Sequence, residues 1–212
     1  MPPPERNHLR QFLLFVFVLL IPCFALWSFF SVALVTPVIG LAHLILSNWF
    51  PDIVNVVYQQ GADVMLMTRL DNIDGELVTT DVADAGLGFK INAKIVSYSI
   101  PFYAALHFAT EKKNYLVTFM WGLLVLYPFI LLGVVSICLK DLMVSFGSTF
   151  LDQPGVMVPG ADVIGIVYQL SVLIIPTLLP VMVWAWQSRH TPLLKGLFLS
   201  QASTDDSGSA NP

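Results

Sequence analysis

The chain has 212 residues, 56% of them hydrophobic and 11% charged, with a formal net charge of −4 and a mean hydropathy of +0.76. That balance excludes an ordinary water-soluble domain and points to a membrane protein. With no basic run and no aromatic–basic stripe, it also argues against nucleic acid as a partner.

Residues 1–10 carry Arg6 and Arg10 and are expected on the cytoplasmic side. Residues 11–35, QFLLFVFVLLIPCFALWSFFSVALV, hold no charge and are long enough to cross ~30 Å of hydrocarbon. The run is longer than the apolar region of a cleavable signal peptide, so it reads as the first transmembrane helix. Between Pro37 and Phe50, Gly40, His43 and Ser47 recur at helical spacing on an otherwise apolar segment ending in Trp49, which suggests a helix lying in the membrane interface. His43 is then placed among lipid headgroups rather than in a ligand set.

Four strand-like stretches follow at 53–58, 62–70, 76–82 and 89–95, separated by Gln60-Gly61, by Asp71-Asn72-Ile73-Asp74-Gly75 and by Gly86 and Gly88. They predict a small β-meander resting on the interfacial helix, the whole of 36–94 lying outside the cytoplasm. Seven acids fall there (Asp52, Asp63, Asp71, Asp74, Glu76, Asp81, Asp84) against Arg69, Lys90 and Lys94.

Three further apolar runs predict transmembrane helices at 96–110, 115–138 and 163–186, with an extracytoplasmic loop at 139–162 and a cytoplasmic disordered tail at 187–212. Lys112, Lys113, Arg189 and Lys195 join Arg6 and Arg10 on one side, so both termini are expected in the cytoplasm. The fold class expected is therefore an α-helical integral membrane protein of four spans with a small β-rich subdomain. Cys23 and Cys138 lie inside apolar runs and read as buried thiols, not a disulfide.

No HExxH, GxSxG, Walker loop or paired CxxC occurs, so no metal, cofactor or motif-defined catalytic site is assigned. The polar groups at the outer ends of the spans remain: Ser97, Tyr98, Ser99, Lys140, Asp141, Tyr168 and Gln169. Ser97 or Ser99 with Lys140 would make a Ser–Lys nucleophile and base. The simpler alternative is a helix cap and a snorkelling anchor beside its counter-charge. Tyr168 and Gln169 inside the last span call for hydrogen-bond partners in the bundle or on another protein.

The order of TPVIGLAHLIL at 36–46, the strands at 53–95 and SYSIPFYAALHF at 97–108 resembles the exosortases, membrane transpeptidases that cut and transfer secreted proteins at a C-terminal sorting signal. Where that family carries its catalytic cysteine this chain has Ser97-Tyr98-Ser99. The arginine region offers Lys140, and the start of the last span, Ala161 to Gly165, has no histidine. The resemblance thus implies a relative without the chemistry. FVLLIPCFALW at 17–27 followed by PVIGLA at 37–42 is similar to the exosortase H-associated membrane proteins of Gram-negative bacteria.

That resemblance implies a non-catalytic accessory or scaffold in the inner membrane, with an exosortase and the lipid bilayer as partners. Asp63, Asp71, Asp74, Glu76, Asp81, Asp84, Tyr168 and Gln169 are then the candidate partner surface, and Ser97, Tyr98, Ser99 and Lys140 a vestigial site. A Ser–Lys membrane peptidase and a structural subunit of an envelope or secretion complex are the alternatives.

Overall fold

The structure, a computed structural model, describes residues 4–73, 76–79, 86–110, 114–189 and 191. Asp74, Asp81 and Asp84 lie outside these.

One helix, α1 (Pro4–Trp49), runs for 46 residues through both Pro22 and Pro37. The segment expected to lie flat in the interface is instead its upper part. The reason is a buried stripe that does not break at Pro37: Val35, Val38, Ile39, Ala42 and Leu46 all face inward. A proline inside a helix is tolerated where neighbouring groups take up the freed carbonyl. The helix stops where Phe50 closes the last turn onto the Leu46 carbonyl and Pro51 follows.

Strands β1 (Val54–Gln60), β2 (Asp63–Thr68), β3 (Leu70–Ile73), β4 (Glu76–Thr79) and β5 (Gly88–Asn92) form a three-stranded antiparallel sheet in the order β1-β2-β5 and a separate β3–β4 hairpin. The expected meander is therefore replaced by a hairpin inserted between two neighbours. β3 pairs antiparallel with β4, Ile73 opposite Glu76, and Phe89 and Ile91 pair with Leu66 and Val64 of β2. Gly61, at φ 63°, closes the β1–β2 turn. Val54, Val57, Val64, Leu66 and Ile91 turn one face of the sheet to the core shared with α1.

From β5 the chain passes through α2 (Lys94–Ser97) and α3 (Ser99–Phe108), then α4 (Tyr115–Phe146). Gly147, at φ 53°, ends α4 with its N–H on the Met143 carbonyl, and the short α5 (Ser148–Leu151) follows. A last rod combines α6 (Ala161–Gln169), a wide π-turn at Leu170–Ile174 and α7 (Ile175–Ser188). The wide turn sits just before Pro176, whose missing N–H cannot continue the ordinary ladder.

Among the described residues three helical rods are long and apolar enough to cross a membrane: Arg10–Trp49, Tyr115–Phe146 and Ala161–Ser188. The segment expected as the second span is only α2 and the ten-residue α3. From Lys94 to Phe108 it rises about 22 Å at 1.5 Å per residue, short of the ~30 Å core.

It nevertheless carries the chain from the sheet to the opposite end of the bundle. There the Trp184 indole N–H donates to Thr110 Oγ1 at 2.7 Å, and Phe12 stacks on Trp184 with ring centroids 5.1 Å apart. The start of α1 and the end of α7 thus share one end of the molecule. At the other end Phe50 meets Phe150, and the Trp49 indole donates to the Met157 carbonyl at 3.1 Å.

Candidate partner surface

The residues singled out at the outer ends of the helices do not form one cluster. Ser97 ends α2 with its hydroxyl fully buried and without a hydrogen-bond partner, while the Ser99 hydroxyl donates to the Val96 carbonyl at 3.1 Å. Val96 packs where Gly133 leaves α4 bare: a Cβ there would stand 2.6 Å from Val96 Cγ1. Lys140 lies two turns further along α4, about 10 Å of helical rise. Its ammonium donates to Asp141 at 2.8 Å and stands 5.5 Å from the centre of the Tyr168 ring.

A Ser–Lys pair requires an amine in hydrogen-bond reach of the hydroxyl and free to take its proton. Here the amine is held by a carboxylate and an aromatic face. The arrangement is that of an anchored charge, with Lys140 and Asp141 each partly open to solvent. Tyr168 is half-buried beneath Lys140, and Gln169 is exposed, so only the tyrosine of that pair is covered by the bundle. Tyr98 is half-buried at the joint between α2 and α3.

Of the acids, Asp63 starts β2 opposite Gln60 and Asn92 and pairs with Lys90 at 3.0 Å, the lysine being largely exposed. Asp71 is half-buried in β3, and Glu76 opens β4 opposite Ile73. The described acids thus lie along two different parts of the β-region, Asp63 at the β1–β2 turn and Asp71 and Glu76 on the inserted hairpin.

Two polar anchors that sequence reasoning missed hold this platform to α1. His43 joins helix to strand: Nδ1 accepts the Val57 N–H at 3.2 Å and stands 3.1 Å from Ser47 Oγ. Gln59 donates from Nε2 to the Val32 carbonyl and accepts from Thr36 Oγ1, both at 2.8 Å. The recurrence of Gly40, His43 and Ser47 was the signal. It marks the edge of the helix that meets β1. Beside Trp49, an apolar cleft of about 160 Å³ opens between α4 and α6.

The profile of the exosortase H-associated membrane proteins matches residues 6–191. The chain belongs to that family. No curated protein and no solved structure matches it. The family match spans α1, the sheet and all the helices that follow, so the platform and the helical rods are parts of one family architecture.

Proposed function

We propose that the chain is a non-catalytic accessory or scaffold subunit of an exosortase-type protein sorting system in the bacterial inner membrane. The observation that carries this reading is membership, over residues 6–191, of a family named for association with exosortase H. The separation of Ser97 from Lys140, with the amine engaged by Asp141, supports a non-catalytic role.

In this reading the end holding Phe12, Trp184 and Arg189 faces the cytoplasm, in keeping with Arg6, Arg10, Arg189 and Lys195, and the β-region stands outside. The acids of 63–84, with Tyr168 and Gln169, then meet the outer face of the exosortase, the charges guiding approach and the helix residues fixing register.

The test is co-purification from native membranes in mild detergent with mass spectrometry of what accompanies the tagged chain. Recovery of an exosortase is expected, and recovery of a secretion machine in its place would defeat the proposal. Reporter fusions ending at Gln153 and at the C-terminus should read exported and cytoplasmic respectively.

A further inference from the structure

The contacts of the sheet fix how far up α1 the hydrocarbon can reach. Gln59 is tied to α1 at Val32 and Thr36, and in the adjoining strand register Gln60 faces Asp63, which is paired with an exposed Lys90. An amide and two ions do not sit in lipid hydrocarbon facing no other helix. The apolar layer therefore ends near Val32. Counting down to Arg10 gives about 33 Å of helix at 1.5 Å per residue, the thickness of one bilayer core.

Everything on α1 from Thr36 to Trp49 then stands beyond the lipid. Its inner face is on the sheet, but its outer face is apolar and open: Leu41 is 50% exposed, Leu44 57% and Ile45 39%. Gly40 beside them has nothing within 4 Å of where a side chain would begin. Of the polar groups beside this stripe, Thr36 Oγ1 shares its proton between the Val32 carbonyl and Gln59 Oε1, and Asn48 Nδ2 donates to the Leu44 carbonyl. No charged residue occurs between Gln11 and Pro51. A helix face meant for water is normally polar, and a continuous apolar one marks a contact surface.

We infer that Pro37, Gly40, Leu41, Leu44 and Ile45 form a docking face for an uncharged helix of the partner exosortase that overruns the hydrocarbon by several turns. Below Val32 the same face continues through Phe30, Phe29 and Leu26, all exposed, so a helix packed along α1 within the bilayer stays on one continuous face as it leaves it. Gly40 lets that helix approach closely at the point where it emerges. The inference rests on the accessory reading above and names the surface through which it acts.

The test uses the full chain co-expressed with the exosortase, carrying a photoreactive phenylalanine at Leu41 or Leu44, with the exposed Tyr58 as a control on the sheet. Adducts between this chain and the exosortase are expected from Leu41 and Leu44. Adducts only with a second copy of this chain, or only with lipid, would overturn the docking face. In parallel, Leu41→Lys with Leu44→Lys should reduce recovered exosortase by roughly tenfold or more, as removal of buried apolar anchors does at interfaces, with insertion and yield unchanged. If the unsubstituted chain brings the exosortase and the double variant brings as much, the face is wrong and the accessory role stands. If the unsubstituted chain brings none, the accessory role itself fails and this inference with it.

Discussion

The Tyr103 hydroxyl donates to the side-chain oxygen of Gln187 at 2.7 Å, tying α3 to the last turn of α7 across 84 positions of sequence. Gln187 Nε2 in turn donates to the Thr118 carbonyl at 3.0 Å. His107 stands with Nε2 3.0 Å from the Tyr115 carbonyl and Nδ1 3.2 Å from the tyrosine oxygen. A carbonyl can only accept, so Nε2 bears the proton, and neutral Nδ1 is an acceptor that shares the single tyrosine proton with Gln187 Oε1. Three helices are knitted together by groups that lipid could not satisfy. The short α3 is held in the bundle by this network as well as by its apolar face.

Tyr103→Phe keeps the ring stacked on Phe119 and removes only the donor. Gln187 Oε1 and His107 Nδ1 then lose the one hydroxyl proton they share, which costs about 1–3 kcal/mol in this partly buried setting. Thermal unfolding of the detergent-solubilised protein should begin at a lower temperature. An unchanged transition would show that the network contributes no stability.

Gly122 is where α4 makes room for that tyrosine: a side chain there would overlap Tyr103 Oη and Cζ, part of a stacked ring with little freedom to move. Gly165 of α6, by contrast, has open space where its Cβ would be. Gly122→Ala should destabilise by about 1–3 kcal/mol through overpacking, whereas Gly165→Ala should be neutral or gain up to about 1 kcal/mol from helix propensity. Equal effects of the two, read by the same thermal assay, would contradict the packing described.

His43→Leu tests whether the sheet is pinned to α1 by that imidazole. The leucine fills similar space but leaves the Val57 N–H without its acceptor, at a cost of about 1–3 kcal/mol. The effect should be local, because α1 and the helical bundle keep their own contacts. Faster cleavage within residues 53–94 by limited proteolysis, with the helical rods still protected, is the expected pattern. Cleavage rates equal to those of the unsubstituted chain would mean that apolar burial alone holds the sheet.

What was legible in the sequence follows from the range of the forces involved. Uncharged runs announce α1, α4 and α7, because crossing a bilayer constrains every residue of a run. Alternation announces β1 and β5. The continuity of α1 through Pro37 was not legible, since it depends on a buried stripe that exists only once β1 packs against it. Nor was the pairing of β2 with β5, because Asp71 to Gly75 mark a turn without saying which strands it separates. His107 and Gln187 are unremarkable in sequence, and their roles appear only when α3, α4 and α7 converge. The Ser–Lys pair was legible as residue types, but the engagement of Lys140 by Asp141 and Tyr168, two helical turns beyond the Gly133 that Val96 packs on, shows only in the structure.

That geometry leads to a kinetic expectation. Members of a nucleophile–base unit each lose several orders of magnitude of activity on removal and do not add. Ser97→Ala with Ser99→Ala should leave processing of sorted substrates nearly intact in cells carrying the exosortase. Lys140→Ala, which removes an anchor beside Asp141 and Tyr168, should lower protein levels or processing by no more than a few-fold, in line with an exposed pair worth about 1 kcal/mol or less. Abolished processing by both changes, at normal levels of inserted protein, would restore the peptidase reading.

The acids of the β-region allow a test that separates steering from docking. Asp63 is committed to Lys90 within the sheet, so its reversal would set two ammonium groups against each other and confuse partner effects with folding. Asp71, Asp74, Glu76 and Asp81 are the better choices, since in the sequence they fall outside β1, β2 and β5. Changed together to lysine, they reverse the sign of the charge presented to a partner's basic surface. Attraction between charges across water is screened over ~10 Å at 0.1 M salt and ~3 Å at 1 M. Recovery of the exosortase should therefore fall well below that of the unsubstituted chain at the lower salt, and the two should converge at the higher. A deficit of the same size at both would assign these residues to direct contact rather than steering, and no deficit at either would remove them from the partner surface.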